Sequence, residues 1–226
     1  KDRNSEVVLV GAGAAVMGIT ELLLAYGIRN ITVLDSKGIL DKGRDDIEEY
    51  KKWFVENSKP RAKGGLAEAM KGADIVVAAS APDIIRKEMV AGMNKNAIVF
   101  TLSNPNAEIA YQDAKDAGAM IVASGRSDLP NQVNNALAFP GVFRGALDVR
   151  AKEINIEMMI AAAEGIAKTV KMPHADAIVP MAFDRAVAVN VAMGVAQKAV
   201  ETGVAELKLT PSQIKEKICE RLICEL

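Results

Sequence analysis

The sequence predicts an α/β fold, a doubly wound parallel sheet followed by a helical C-terminal extension. Short runs of β-branched, apolar residues alternate with longer segments of helical periodicity, which is the order that builds a parallel sheet. The runs are almost wholly apolar, as strands are when helices cover both faces of their sheet. After Asp148 only helical patterns follow. We therefore expect a sheet domain at residues 1–150 and a helical extension at 151–226 that packs on the same domain.

The sheet domain is predicted to alternate strand and helix throughout. The predicted strands lie at residues 6–10, 31–34, 75–79, 97–102 and 120–123. The predicted helices between them lie at residues 14–26, 45–57, 65–70 and 107–117. Small or polar residues follow each strand, and in open parallel sheets ligands bind beyond the carboxyl ends of the strands. We therefore expect the functional site along that rim.

The helical extension is predicted to begin with two helices whose apolar faces pack in a core. The first carries an apolar stripe at helical spacing from Ile156 to Val170, with Asn155 placed as its N-cap. The second, at residues 185–202, is so rich in Ala, Gly and Val that it must lie close against a neighbour. Gly203 is placed to end it.

A third helix is predicted at the C-terminus. Thr-Pro-Ser-Gln at residues 210–213 is a capping box with proline at the first helical position. The apolar residues that recur every four positions are Ile214, Ile218, Leu222 and Leu226. They predict one apolar face, which docks on its own domain or on a partner subunit.

Composition excludes several classes of function. The chain has 226 residues, with 28 basic and 29 acidic side chains and a net charge of −1. Nucleic acids and anionic membranes attract proteins with a basic face, so neither is an expected partner. The apolar runs are shorter than the roughly 18 residues that a membrane-spanning helix needs. We expect a cytoplasmic protein.

The turn after the first strand predicts a dinucleotide site of the Rossmann-like kind. Gly11-x-Gly13 lies directly between a strand and a helix. Gly11 allows the tight turn, and Gly13 lets the backbone approach a pyrophosphate that the helix N-terminus stabilises. Val16 departs from this fingerprint, because it stands where a third glycine normally allows close contact between helix and sheet.

Asp35 is the predicted partner of the adenine ribose. It ends the second strand, 24 residues after Gly11, where a carboxylate can accept hydrogen bonds from the ribose diol. A 2′-phosphate beside this carboxylate would place like charges together, so the sequence favours NAD over NADP. Lys37 and Arg44 are close enough in sequence to compensate such a phosphate, so NADP also stays open.

Side-chain amides form a second group of candidates on the rim. Asn104 follows the fourth strand, and Asn134 and Asn135 stand together further along the chain. Asn-Pro is most often a turn, and an Asn-Asn pair is most often a loop or a helix cap. Near a nicotinamide, the same amides could donate to a carboxylate and accept from a carboxamide without adding charge. The spacing does not decide between these readings.

Several longer motifs resemble the cofactor-binding domain of malic enzymes, and the smaller prokaryotic type is the closest match. The motifs are SNP at 103–105, GRSDLPNQVNNALAFPG at 125–141, RGALD at 144–148, DSKG at 35–38, GR at 43–44 and IVPMAFD at 178–184. The string at 125–141 is very specific, whereas a glycine turn alone is not. The likeness covers nearly the whole chain.

This resemblance implies the oxidative decarboxylation of malate to pyruvate and carbon dioxide, with reduction of a nicotinamide cofactor. The hydride on C2 of malate passes to the nicotinamide, and a divalent metal polarises the carbonyl of the resulting oxaloacetate. The implied pyrophosphate contacts are Gly11, Gly13, Ala14 and Ala15, with Asp35 on the ribose and Ser80 on the rim of the cofactor. The implied contacts to malate or pyruvate, near the nicotinamide, are Asn104, Asn134 and Asn135, and the resemblance also implies that Asn104 contacts the cofactor.

No segment of this sequence resembles the one that supplies the Tyr and Lys acid–base pair and the acidic metal ligands in such enzymes. We therefore assign no catalytic or metal-binding residue, and we expect Mg²⁺ or Mn²⁺ to be held by an N-terminal catalytic domain upstream of Lys1. The acidic residues at 45–49 read instead as the solvated start of a helix. The resemblance also implies a homo-oligomer, a dimer or larger.

Two other functions are compatible with the same residues. A non-catalytic dinucleotide-sensing module would bind NAD and use the C-terminal helix as its interaction surface. A malolactic enzyme would retain a bound cofactor and release lactate. The sequence of this domain does not separate them.

Overall fold

The structure of the chain is a computed structural model that describes residues 2–222. Its strands are β1 (Val7–Val10), β2 (Ile31–Asp35), β3 (Gly38–Ile39), β4 (Ile75–Ala78), β5 (Ile98–Thr101) and β6 (Ile121–Ser124). Its helices are α1 (Ala14–Tyr26), α2 (Lys52–Asn57), α3 (Leu66–Met70), α4 (Lys87–Ala91), α5 (Tyr111–Asp116), α6 (Phe139–Asp148), α7 (Ile156–Thr169), α8 (Arg185–Glu201) and α9 (Pro211–Leu222).

The strands form one sheet in the order β3-β2-β1-β4-β5-β6. All pairs are parallel except β2 with β3, which are antiparallel. The chain leaves β1 towards β2 on one side and later returns to β4 on the other. The carboxyl ends of β1 and β4 therefore flank the point where the strand order reverses, and this is where doubly wound sheets bind their ligands.

Apolar side chains cover both faces of the sheet, as the sequence predicts. On one face, Val7 and Leu9 of β1 belong to a core that includes Phe54 of α2. On the other face, Val8 and Val10 belong to a core formed with α3, α4 and α5. Neighbouring residues of one strand thus enter opposite cores, which explains why the strand sequences are continuously apolar.

Several elements differ from the sequence-based expectation. The helix predicted at 45–57 is shorter, because a 3₁₀ turn at Glu49–Lys51 leads into α2. The helix predicted at 107–117 begins only at Tyr111. Among the strands and α-helices of the described residues, β3, α4 and α6 were not predicted. The strand β3 has two residues and α4 has five, so neither is long enough to show a period.

The chain divides into two compact units, the first ending at Pro130 and the second beginning at Asn131. This division groups α6 with the later helices, whereas the sequence pattern changes only after Asp148. In the second unit α8 contacts α6, α7 and α9. Close approach to α8 requires glycine in α6, because a Cβ atom on Gly145 would lie 2.5 Å from the carbonyl oxygen of Ala192. In residues 2–222 no helix is long and apolar enough to cross a membrane.

The helix starts predicted for the second unit are confirmed. The Asn155 side chain accepts from the N–H of Met158 at 3.0 Å and caps α7. At the start of α9, the Thr210 N–H donates to Gln213 Oε1 at 2.9 Å, and the Gln213 N–H donates to Thr210 Oγ1.

The apolar face of α9 packs inside its own unit. Ile214 and Ile218 are fully buried, and Leu222 packs against the same core. Leu226, the last residue of the predicted stripe, lies outside the described residues. Because α9 contacts α6 and α8, the described part of this face is covered by helices of its own unit.

A buried carboxylate ties α9 to α6. Asp148 is completely buried, and its Oδ1 accepts from Arg144 Nη2 at 2.6 Å and from Arg221 of α9. We expect Asp148→Ala to lower the free energy of unfolding of the second unit by about 2 kcal/mol, because Arg144 and Arg221 lose the charged acceptor that they share. Urea unfolding followed by circular dichroism measures this loss.

The matched control removes an exposed ion pair from the same unit. On α7, Lys168 Nζ lies 3.2 Å from Glu164 Oε2, and both side chains are exposed. Exposed pairs contribute less than about 1 kcal/mol, so Glu164→Ala is expected to unfold close to the wild-type midpoint. Equal midpoint shifts in the two variants would contradict a special role for Asp148.

Candidate dinucleotide-binding site

Gly11 stands where β1 turns into α1, and the structure leaves no room there for a side chain. Its φ angle of 111° lies in the left-handed region that favours glycine. A Cβ atom on Gly11 would lie 2.6 Å from the carbonyl oxygen of Ala79, just after β4. The Gly11 N–H donates to the carbonyl of Leu34 in β2 at 2.9 Å. The turn is therefore fixed against both strands that neighbour β1.

Gly13 is the N-cap of α1 and has open space around it. A Cβ atom on Gly13 would meet no atom within 4 Å. Ala14 and Ala15, the first two residues of α1, are also exposed. The N–H groups of a first helical turn have no acceptor within the helix, and the helix dipole adds positive potential there. This end of α1 can therefore receive an anionic group against the backbone.

Val16 takes up the position of the third fingerprint glycine by entering the core. It is 1 % exposed and packs with residues of β1 and β2 beneath α1. The Thr20 hydroxyl donates to the Val16 carbonyl at 2.7 Å, within the helix. The branched side chain thus fills the space between helix and sheet, and the exposed end of α1 is unaffected by it.

Asp35 lies at the end of β2, and its side chain is only 5 % exposed. Its Oδ1 accepts from Arg44 Nη1 at 2.8 Å and from the Lys37 N–H at 2.9 Å. Its Oδ2 accepts from Lys51 Nζ at 3.0 Å. The sequence places a carboxylate at this point, but it does not reveal these bonds to cations 9 and 16 residues further along the chain.

The contacts of Asp35 keep its carboxylate ionised. Partial burial favours the neutral acid, but hydrogen bonds from Arg44, Lys51 and the Lys37 N–H outweigh it and lower the pKa of Asp35. Hydrogen bonds to Glu48 and to Asp35 raise the pKa of Lys51. The Asp35 carboxylate and the Lys51 ammonium group therefore both stay charged throughout the neutral pH range.

The acidic run after Arg44 belongs to the same charge network, which corrects its interpretation as the start of a helix. The carboxylate of Asp46 lies 2.9 Å from Arg44 Nε through its Oδ1 and 2.9 Å from Lys37 Nζ through its Oδ2. Glu48 Oε2 lies 2.7 Å from Lys51 Nζ. These carboxylates face cations from nearby turns because the helix begins later than predicted. Within residues 2–222, no group of three or more His, Cys, Asp or Glu side chains is arranged to hold a metal ion.

Ser80 and Asn104 both lie on the rim of the sheet, after β4 and β5, and both are exposed. The Ser103 hydroxyl donates to the Ser80 carbonyl at 2.7 Å, so the loops that carry them are joined. Glu108 also binds both loops, and sequence reasoning missed it. The sequence predicts a helix from residue 107, which would place Glu108 on a solvated first turn, whereas the structure buries it completely.

A cleft of about 490 Å³ opens beside these loops, at the carboxyl ends of β5 and β6. Its lining includes Thr101 and Ser124 from the strand ends, Asp83 and Arg126 from the following loops, and Tyr111 of α5. A cleft with polar groups at strand ends is the kind of place where this fold binds small ligands.

Asn134 and Asn135 lie at the start of the second unit. The Asn134 side chain caps a 3₁₀ turn by accepting from the Ala136 N–H at 2.8 Å. The interpretation of Asn134 as a cap is therefore correct, and the residue is exposed. Asn135 is the first residue of that turn and is also exposed.

The chain matches a family model described as "Malic enzyme, NAD binding domain" over residues 2–200. It is 47 % identical to the bifunctional malic/malolactic enzyme of Bacillus subtilis, over 94 % of this chain and 53 % of that protein. It is 42 % identical to the NAD-dependent malic enzyme of Geobacillus stearothermophilus, over 91 % of this chain and 43 % of the relative. Identity to the NADP-dependent malic enzyme of Halomonas elongata is 38 %, over 89 % of this chain and 52 % of the relative.

Solved structures give the same relationship. The crystal structure of malic enzyme from Pyrococcus horikoshii superposes with a TM-score of 0.92 at 39 % identity, over 99 % of this chain and 54 % of that chain. The chain thus spans about half the length of the relatives it matches. The family model, the sequence relatives and the structural match all point to the same family. The chain belongs to the malic enzyme family, of which it carries the NAD-binding domain.

Proposed function

We propose that this chain supplies the nicotinamide cofactor site of a malic enzyme that converts malate to pyruvate and carbon dioxide and reduces NAD. One observation carries the proposal: the turn at Gly11 is locked against β2 and β4, while Gly13 leaves the backbone at the start of α1 open. A tight turn followed by an uncovered helix N-terminus fits a pyrophosphate.

The cofactor contacts follow from positions along the rim. Gly13, Ala14 and Ala15, at the turn that Gly11 forms, offer backbone N–H groups to the pyrophosphate. Asp35 takes the adenine ribose at the end of β2. Ser80 and Asn104 follow β4 and β5, which lie on the other side of β1 from β2. A dinucleotide with its adenine ribose at β2 and its pyrophosphate at β1 would extend its nicotinamide over β4 and β5. We therefore assign Ser80 and Asn104 to the nicotinamide end.

The substrate contacts are the amides of Asn104, Asn134 and Asn135. All three side chains are exposed and uncharged. An amide can donate to a carboxylate of malate or pyruvate and accept from a nicotinamide carboxamide. The bound nicotinamide supplies the hydride acceptor for C2 of malate. Each of these side chains is proposed as a contact to the substrate of that transfer.

We assign the acid, the base and the metal ligands to none of the described residues. Tyr26 is exposed on α1, and Tyr50 is exposed on the 3₁₀ turn before α2. Tyr111, the first residue of α5, packs against the core. The residues of the chain that the structure describes contain no suitable metal-ligand group, so they do not fit the Mg²⁺ or Mn²⁺ that the family resemblance implies. The chemistry proposed for these residues therefore includes no step at the metal.

NAD is the proposed cofactor, in preference to NADP. The Asp35 carboxylate at the end of β2 is ionised, and it would oppose a 2′-phosphate. The named relatives include both NAD- and NADP-dependent enzymes, so membership of the family does not decide this point. The three cations beside Asp35 are already paired with carboxylates, which supports NAD.

A malolactic reaction is the second candidate, because one relative is named as a bifunctional malic/malolactic enzyme. Both reactions need the same dinucleotide site, and they differ in releasing pyruvate with reduced cofactor or lactate without it. Product analysis of the full-length protein separates them. We further propose a cytoplasmic homo-oligomer, as the resemblance to the family implies.

Titration of the purified chain with NADH, followed by nicotinamide fluorescence, tests the proposal. We expect saturable binding of NADH, and no formation of NADH from NAD and malate by this chain even with Mn²⁺ present. Absence of NADH binding would overturn the cofactor site. Rapid malate-dependent reduction of NAD would overturn the assignment of acid, base and metal to other residues.

A further inference from the structure

Glu108 is a buried ionisable residue to which the proposed function gives no role. It precedes α5 and is 0 % exposed. Burial of a carboxylate away from water is costly unless hydrogen bonds replace its hydration. The position of Glu108 therefore calls for bonding partners.

The partners of Glu108 lie in the two rim loops that carry the proposed nicotinamide contacts. Its Oε1 accepts from the Ser80 N–H at 3.0 Å, in the loop after β4. Its Oε2 accepts from the Ser103 N–H at 3.2 Å, in the loop after β5. One carboxylate thus bridges two separate loops through their backbones.

Backbone pairing extends the same connection. The carbonyl of Glu108 accepts from the Ile85 N–H at 2.9 Å, and the carbonyl of Ala107 accepts from the Asp83 N–H at 3.1 Å. The loop after β4 is therefore held along its length by residues 107 and 108. The carboxylate reaches the end of that loop nearest the strand, where Ser80 lies.

We propose that Glu108 is a positioning residue, which fixes the loops after β4 and β5 and so places Ser80 and Asn104 at the nicotinamide end of the cofactor. Ser80 binds Glu108 directly, and Asn104 is adjacent to Ser103. This inference rests on the proposed function, because it presupposes a dinucleotide on the rim. It assigns Glu108 no contact with cofactor or substrate.

The substitution Glu108→Gln tests the proposal with little change of shape. A glutamine side chain has one acceptor oxygen, so it can satisfy only one of the two backbone N–H groups. We expect the affinity for NADH to fall about tenfold. The affinity for ADP-ribose, which lacks the nicotinamide, should change less than about twofold.

The control variant is Glu88→Gln, which makes the same chemical change at an exposed position on α4. It should bind both ligands like the wild type. An equal loss of NADH and ADP-ribose in Glu108→Gln, or no loss of either, would overturn the positioning role. If the wild-type chain binds neither ligand, the proposed function itself fails, and this inference fails with it.

Hydrogen exchange on the wild-type chain provides a measurement that needs no variant. The amide protons of Ser80 and Ser103 should exchange at least about 100-fold more slowly than unprotected amides, because a buried acceptor holds each of them. Exchange of either amide at the unprotected rate would overturn the bridge, whatever the stability of Glu108→Gln.

Discussion

Gly13→Ala is expected to bind NADH at least about tenfold more weakly than the wild type while keeping its fold. The φ angle of −95° at Gly13 is one that alanine adopts readily. A methyl group there would meet no protein atom within 4 Å. It would instead occupy the space through which a pyrophosphate reaches the start of α1.

The size of this effect follows from the bonds that the methyl group weakens. Hydrogen bonds between backbone N–H groups and a charged acceptor contribute about 1.5–3 kcal/mol each. Loss of one such bond corresponds to roughly a 10- to 100-fold change in affinity. Fluorescence titration with NADH measures the affinity, and circular dichroism verifies the fold of the variant.

Gly18→Ala is the matched control, because it adds the same methyl group to the same helix. A Cβ atom on Gly18 would also meet no atom within 4 Å, apart from the backbone of α1. Alanine in a helix interior is favoured over glycine by about 1 kcal/mol, so this variant should be slightly more stable. It should bind NADH like the wild type. Similar NADH affinities for Gly13→Ala and the wild type would remove the start of α1 from the cofactor site.

The sheet and α1 could be predicted from the sequence because their signals are local. Each parallel strand is a short apolar run, and observed and predicted ends differ by no more than one residue. The helix α1 begins at Ala14 and ends at Tyr26, as predicted, where Gly27 takes a left-handed conformation. Gly11 was identified from the same local context.

The helix α6 shows why a local pattern can mislead. Its buried face consists largely of small residues, including Gly141 and Gly145, which pack against α8. Its large apolar residues, Phe139, Phe143 and Leu147, are at least half exposed. Size and burial are therefore reversed from the usual amphipathic helix, and glycines normally indicate a break.

The partners within the site could not be predicted, because they are distant in sequence. Glu108 meets Ser80 across 28 residues, and only the order of strands in the sheet brings them together. For Asp35 the position at the end of β2 was predicted. Arg44 was expected only as a cation near a 2′-phosphate, not as a partner of Asp35, and Lys51 was not expected there at all. A motif thus locates a carboxylate, and the fold determines its charge environment.

That environment makes Asp35→Ala the substitution with the largest expected effect on cofactor choice. In the wild type, the carboxylates of Asp35, Asp46 and Glu48 balance the cations of Lys37, Arg44 and Lys51. Removal of Asp35 deletes the proposed ribose acceptor and leaves one positive charge in excess at the end of β2. We expect NAD affinity to fall about tenfold and NADP affinity to rise about tenfold.

Asp46→Ala separates the charge effect from the position effect. It creates the same excess of positive charge beside Arg44 and Lys37, but it leaves Asp35 in place at the end of β2. A general charge effect would therefore raise NADP affinity in both variants. Loss of NAD affinity should occur only in Asp35→Ala, because only that variant lacks the acceptor for the ribose hydroxyls.

Competitive titration of each variant with NAD and NADP against bound NADH gives the ratio of the two affinities. For Asp35→Ala this ratio should shift by about 100-fold towards NADP, and the shift should shrink at high salt because excess surface charge is screened. An unchanged NAD affinity would show that Arg44 and Lys51 hold Asp35 only as a structural partner. The ribose would then have to bind elsewhere on the rim, and NAD preference would lose its basis in this carboxylate.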